Sequence, residues 1–416
     1  MSIDRASYPI RPITDEEVQA FTAHLDLAFH ENPGPEAHAI GMRLLPPERT
    51  VAAFDAAELV GTGGDIALEL TVPGGVAVAA AGVSFVTVKP THRRRGILTG
   101  MMRYQLTGLH EHGGAPVAIL GASEPAIYGR FGYGLGSQQL HLTIPRGDNG
   151  LSAVPGSDKF QLRMADPVQA YERCQEVFEA NRLGRPGMLG RTGDAWRDSA
   201  LADHEFARDG AGPLRCVVAE DSDGLVAGFA RYRIKEDWDN PARPDCKVRA
   251  KEVYGRDLAS SVAMWRFLLD IDLTSEVHAD VPTDAPLMFL LADPRQAVPR
   301  LQDDVYVRLV DVDRALTARR YTAPVDVVFE VSDPFCPWNT GRWRLSGDAS
   351  GAVCERTTDP ADLVLGPREL GSAYLGGFAL AALGRAGRVE ELRPGALTEA
   401  SRAFVSDIAP WLPFGF

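Results

Sequence analysis

The chain has 416 residues, 45% apolar and 24% charged, with a formal net charge of −13. That length predicts two to four domains, and the composition is that of a soluble multi-domain protein. The acidic balance argues against a broad phosphate-binding face for nucleic acid and favours cationic partners. The first twenty residues carry Asp4, Arg5, Asp15, Glu16 and Glu17 rather than an apolar signal run, and no stretch approaches a membrane span. A cytoplasmic location is the expectation. Five cysteines without a CxxC spacing, and histidines without HExxH, predict reduced core thiols and no metal site. His24, His30 and His38 read as solvated surface residues.

In chain order, Thr14 and Glu17 form a candidate capping box before a helix carrying Val18, Phe21, Leu25 and Phe29 on one face. Asn32-Pro33-Gly34-Pro35 ends it, and a second helix is predicted over 36–44. Strands follow over 51–54, 59–61, 65–72 and 76–88, with turns at Gly63-Gly64 and Pro73-Gly74-Gly75. From Ser84 the chain reads strand, basic turn, helix: Phe85 to Val88 is a buried strand and Pro90 ends it. Arg93-Arg94-Arg95-Gly96 follows, and Leu98, Met101, Met102, Leu106 and Leu109 have helical spacing. Three arginines at a helix N-terminus have the wrong sign for the helix dipole. Read from the residues alone, the turn is either an anion site, where Gly96 lets a phosphate reach the main chain, or a solvated basic surface.

A strand over 117–120 precedes Ser123 to Tyr133, a short helix with Pro125 in its first turn and a glycine at its end. Tyr128 in it is either a core aromatic or a site residue. The polar, Gly/Pro-rich run from Gly147 to Ser157 marks a domain boundary. Beyond it, 217–220 and 225–234 read as a hairpin, 248–254 as a strand and 258–270 as a helix. This repeats the earlier strand-then-helix order without Arg-x-x-Gly, so the segment is either a duplicate or an unrelated α/β domain. The last third shows strands over 305–310 and 325–331, a helix over 312–319, and Gly371 to Gly377 opening an alanine- and leucine-rich helix.

Arg93-x-x-Gly96 resembles the acetyl-CoA turn of the GCN5-related N-acetyltransferases, with Leu98 departing from its last position. The longer string from Val86 through Pro90 and His92-Arg-Arg-Arg-Gly96 to Leu98 is similar to the Eis-type (enhanced intracellular survival) acetyltransferases, and Tyr128 to Tyr133 matches the same superfamily. The resemblance implies an α+β and α/β chain: a catalytic acetyltransferase domain over 1–150, a degenerate second one over 151–292, and a sterol-carrier-like α/β domain over 293–416. Arg308, Asp311, Arg319 and Tyr321 match that third region. The implied activity is acetyl-CoA-dependent transfer to primary amines of aminoglycosides or polyamine-like acceptors. Protein lysine acetylation is the alternative within the class, and a lipid carrier with an acetyltransferase scaffold is the alternative outside it.

By the same resemblance, Val86, Thr87 and Val88 contact the pantetheine and acetyl group. Arg94, Arg95, Gly96, Ile97, Leu98 and Thr99 hold the pyrophosphate, and Ser123 and Glu124 complete the cofactor contacts. Tyr128 is the implied general acid and the carboxylate of Phe416 the implied base. Phe29, Glu31 and Phe85 line the acceptor pocket. Gly415 departs from an acidic residue of the family. A homohexamer of two trimers is implied, and export without a signal peptide is compatible with the family.

Overall fold

The computed structural model describes residues 8–146, 150–238 and 244–416, so Asp4, Arg5 and positions 147–149 of the expected linker lie outside the described residues. By their contacts they form two compact units, one of residues 8–137, 189–191 and 304–416, the other of 138–146, 150–188, 192–238 and 244–303.

The first unit opens with β1 (Ile10–Arg11), α1 (Val18–Phe29) and α2 (Gly34–Leu44). The amide of Thr14 donates to Glu17 Oε2 at 2.9 Å, which fixes the entry to α1. The histidine expectation needs correcting, because His24 faces inward from α1 and is buried, while His38 of α2 pairs with Asp26 at 2.8 Å. Burial, and secondarily Lys89, push the His24 imidazole below its ordinary pKa.

Next come β2 (Ala52–Asp55), β3 (Glu58–Val72) and β4 (Val76–Val88), with the hairpin turn at Pro73-Gly74-Gly75. No turn divides β3 at Gly63-Gly64. Gly63 instead stands alone against Phe85 and Val86 of β4, a bulge that lets one long strand bend rather than break. Then follow α3 (Ile97–Glu111), β5 (Val117–Gly121) and β6 (Gly134–Leu135). The apolar stripe of α3 buries Ile97, Met101, Met102 and Leu106 against the sheet. Each such side chain contributes roughly 1.5–3 kcal/mol.

The second unit contains β7 (Gln138–Pro145), β8 (Gln161–Ala165), α4 (Tyr171–Arg182), α5 (Asp194–Leu201), β9 (Arg215–Glu220) and β10 (Val226–Lys235). It continues through β11 (Cys246–Gly255), α6 (Leu258–Asp270), β12 (Thr274–Pro282), α7 (Leu287–Leu290) and β13 (Arg300–Asp303). Its sheet has the order β13-β7-β12-β11-β10-β9-β8. The turn before α6 carries Asp257, whose carboxylate accepts from the Ser260 amide at 2.8 Å. A side-chain cap therefore occupies the donors that the arginine turn of α3 leaves open.

The chain then re-enters the first unit. β14 (Val305–Leu309) inserts into the first sheet, whose order is β1-β2-β3-β4-β5-β14-β6. After α8 (Val312–Ala318) come β15 (Val325–Val331), β16 (Gly341–Gly347), β17 (Ala352–Arg356) and β18 (Leu363–Leu365). The chain closes with α9 (Pro367–Tyr374), α10 (Leu380–Arg385), β19 (Val389–Glu391) and α11 (Ala396–Phe404). Gly371 lies inside α9 and Gly376 in the turn after it, so the glycine string ends one helix rather than opening another. In this region Arg319 is fully buried, donating to the carbonyls of Ala373 and Phe404 at 3.2 and 2.7 Å and lying over the rings of Tyr321 and Phe404. Arg308 of β14 is likewise buried and pairs with Asp333 at 2.5 Å. All five cysteines are free and buried. Among the described residues no helix is long and apolar enough to cross a membrane.

Candidate active site

The cleft begins where a ladder ends. β4 and β5 run parallel and pair only from Ala80–Val117 to Gly82–Ile119. Beyond Gly82, β4 continues for six residues with no partner on that side, while β5 stops at Gly121. The sheet therefore opens, and main-chain donors and acceptors of Val83 to Val88 are left on its inner edge. A cleft of about 1040 Å³ occupies the gap.

Within the open stretch, Phe85 has φ 57°, a left-handed conformation that costs a non-glycine residue roughly 1–2 kcal/mol. Thr62 Oγ1 donates to the Phe85 carbonyl at 2.9 Å and lies 2.6 Å from Thr87 Oγ1, which pins the bulge. The bulge turns Phe85, Val86, Thr87 and Val88 to the cleft wall.

At one end lies the N-terminus of α3. Gly96 has φ 86° and nothing within 4 Å of the position a Cβ would take, so the approach to the first helical amides is open. No side chain caps this end. Arg93, Arg94, Gly96, Ile97, Leu98 and Thr99 all line the cleft. Arg95 is not among the lining residues; its guanidinium donates to the Tyr8 hydroxyl at 3.1 Å and the Thr91 carbonyl at 3.0 Å. Arg95 thus faces away from the cleft that Arg93 and Arg94 line, the turn reversing at Arg94 with φ 63°. His92 latches the turn through Asp55 at 3.1 Å.

Across the cleft, Ser123, Glu124, Ile127, Tyr128 and Arg130 come from the short 3-10 helix Pro125–Phe131 and the residues before it. Tyr128 packs edge-on against Tyr133, with ring centroids 6.0 Å apart. Burial, reinforced by the Glu124 charge, raises the Tyr128 phenol above its ordinary pKa, so it holds its proton through neutral pH.

The remaining wall comes from the segment 412–416. Leu412, Gly415 and Phe416 line the cleft. The ring of Phe416 lies against Gly82, where an added Cβ would stand 2.8 Å from the ring, so only glycine leaves room for it. Ser84 Oγ donates to a main-chain oxygen of Phe416 at 2.9 Å. Phe29, at the end of α1, lines the cleft, but exposed Glu31 does not, leaving Glu124 as the acidic side chain among the lining residues. Sequence reasoning missed the roles of Ser84, Arg130 and Leu412. A serine in a strand carries no signal of a partner 332 positions away.

A strand edge with free amides, an open helix N-terminus flanked by arginines, a protonated phenol and a tethered chain end together suit an anionic ligand whose other end reacts with a nucleophile. Comparison with known proteins agrees. Residues 9–136 and 187–309 match models described as acetyltransferase (GNAT) domains, and residues 312–413 match a sterol carrier protein domain. The chain is 50% identical over 382 residues to an uncharacterized N-acetyltransferase of Streptomyces avermitilis, covering 92% of each. It is 33% identical over 401 residues to the N-acetyltransferase Eis of Mycobacterium tuberculosis, covering 94% of each. The crystal structure of Eis1 from Mycobacterium abscessus superposes with a TM-score of 0.83 at 31% identity, covering 98% of this chain and 100% of that one. A GCN5-related N-acetyltransferase from Anabaena variabilis shares the fold, with a TM-score of 0.85 at 19% identity. The chain belongs to the Eis-type GCN5-related N-acetyltransferases.

Proposed function

We propose that the enzyme transfers an acetyl group from acetyl-CoA directly to a primary amine of a small acceptor, the acceptors being polyamine-like molecules or aminoglycosides. The observation that carries this reading is the meeting, in one cleft, of the open α3 N-terminus, the protonated Tyr128 and the Ser84-tethered Phe416.

The fit to acetyl-CoA rests on the uncapped start of α3 and the unpaired edge of β4. The amides at Ile97 to Thr99, with Arg94, would hold a pyrophosphate, and the β4 edge would take an amide-bearing arm as an added strand does. Acetyl-CoA supplies an activated thioester when bound. The residues of the chain do the rest. A main-chain amide of Val86 to Val88 polarises the carbonyl. Tyr128 keeps its proton in the resting enzyme and gives it to the departing thiolate. The α-carboxylate of Phe416, held by Ser84, takes a proton from the incoming ammonium, directly or through water, and so frees the lone pair that attacks. Phe29 and Phe85 flank the acceptor.

Support for a cationic acceptor comes from the net charge of −13 and from the resemblance. The cleft wall itself offers Glu124 and the Phe416 carboxylate. The test is release of free CoA across diamines, spermidine, aminoglycosides and lysine peptides. Turnover with diamines or aminoglycosides is expected. Turnover confined to lysine peptides would move the enzyme to protein acetylation, and none with any amine would overturn the reading. The resemblance further supports a cytoplasmic homohexamer of two trimers, which light scattering of the purified chain checks.

A further inference from the structure

In the second unit, one face of the sheet gathers cations at a density that a solvated surface does not require. Along β10 and β11, Lys235 stands opposite Lys247 and Arg233 opposite Arg249. Like charges directly across a ladder repel. Lys251 is the extra residue of a bulge in β11 opposite Arg231 and Tyr232, and His278 of β12 stands beside Arg249. Lys235, Lys247, Arg249, Lys251 and His278, with Asp237 and Asp280, line a pocket of about 460 Å³, within the range of small-molecule sites, and Arg233 lies outside it. None of its residues lines the acetyl-transfer cleft.

Most of the cations have a local counter-charge. Arg233 pairs with Asp203, and Arg249 with Asp209 at 2.7 Å, while Lys235 reaches that same carboxylate only at 3.9 Å. Glu276 is shared between Lys247 at 3.2 Å and His278 at 2.8 Å, and Asp280 pairs with His141 at 2.8 Å. Lys251 is left over, with no hydrogen bond or ion pair among the described residues. Lys251 is exposed on the strand; partial desolvation of its ammonium, followed by the neighbouring Arg233 and Arg249, lowers its pKa, with Asp280 pulling the other way.

We infer that this pocket is a binding site for a small phosphate-bearing anion, with Lys251 as its central ligand and Lys247 and Arg249 beside it. A phosphate dianion places negative charge beside the facing Lys235 and Lys247 and offers several acceptor oxygens to donors that converge from three strands. A single carboxylate can do neither as well.

Inorganic pyrophosphate is the probe, titrated calorimetrically into the full chain against sodium chloride of equal ionic strength. Wild type is expected to show two binding events, of which Arg94→Gln weakens the one at the α3 N-terminus and keeps the one in this pocket. Lys251→Met is expected to bind about tenfold more weakly or worse, since a charge-assisted hydrogen bond is lost. Without pyrophosphate, Lys251→Met should melt no lower than wild type, because a like-charge neighbour has gone, whereas a lysine of structural value would lower the melting point. Both events retained in Lys251→Met, both lost in Arg94→Gln, or an equal response to chloride would overturn the assignment.

Discussion

The hydroxyl of Ser84 and a main-chain oxygen of Phe416 lie 2.9 Å apart, joining the open part of β4 to residue 416. Ser84→Ala removes this tether and little else, the residue being only partly buried. Turnover is expected to fall about tenfold, the scale of a lost hydrogen bond to a charged group. Acetyl-CoA affinity, measured by calorimetry, should stay within about twofold.

Extending the chain beyond Phe416 converts a carboxylate into an amide while leaving the ring in place against Gly82. Acetyl transfer should be lost and acetyl-CoA should still raise the melting temperature. Full turnover by a protein whose extension is verified intact by mass spectrometry would exclude the carboxylate as base.

Tyr128→Phe keeps the edge-on packing against Tyr133 and deletes one oxygen. A fall in kcat of about 10²-fold is expected, with cofactor binding unchanged. The pH profile carries a second readout. The folded-state value of the phenol is raised, so the protonated form persists below the ordinary ~10 of tyrosine, and both its proton and the stability tied to it are lost only as pH climbs through the folded value. No limb assignable to Tyr128 should therefore appear below about pH 10.

Arg94 and Arg95 separate cleanly. Arg94→Gln should weaken acetyl-CoA binding about 10- to 100-fold, less so in high salt. Arg95→Gln, losing contacts to Tyr8 and Thr91 outside the cleft, should leave it nearly unchanged. Equal losses in the two variants would show that the turn acts only as a diffuse positive field.

The arginine turn, the β3–β4 hairpin and the helix after Gly96 were legible because each is a local matter of strand period, turn chemistry and helical spacing. What escaped depends on remote partners. Phe85 at positive φ is held by Thr62, 23 positions away, and no propensity places a phenylalanine there. Arg95 was grouped with Arg94 because a charge run does not show which way each side chain points. Glu31 was expected at the wall from the family resemblance, yet the left-handed His30 between it and Phe29 turns the backbone. The inward His24 needed knowledge of which face of α1 meets the sheet.

The insertion of β14 between β5 and β6 sets the order in which the catalytic sheet can be completed. Val305 to Leu309 pair with Val117 to Gly121, so about 180 residues must emerge after β5 before its second edge is covered. During synthesis β5 has its short pairing with β4 and an open flank available to wrong partners. A fragment ending at residue 137 holds the arginine turn and Tyr128 yet exposes that flank, and it should aggregate where the full chain does not. The acetyltransferase half of the chain is thus finished last, by the segment that also brings Phe416.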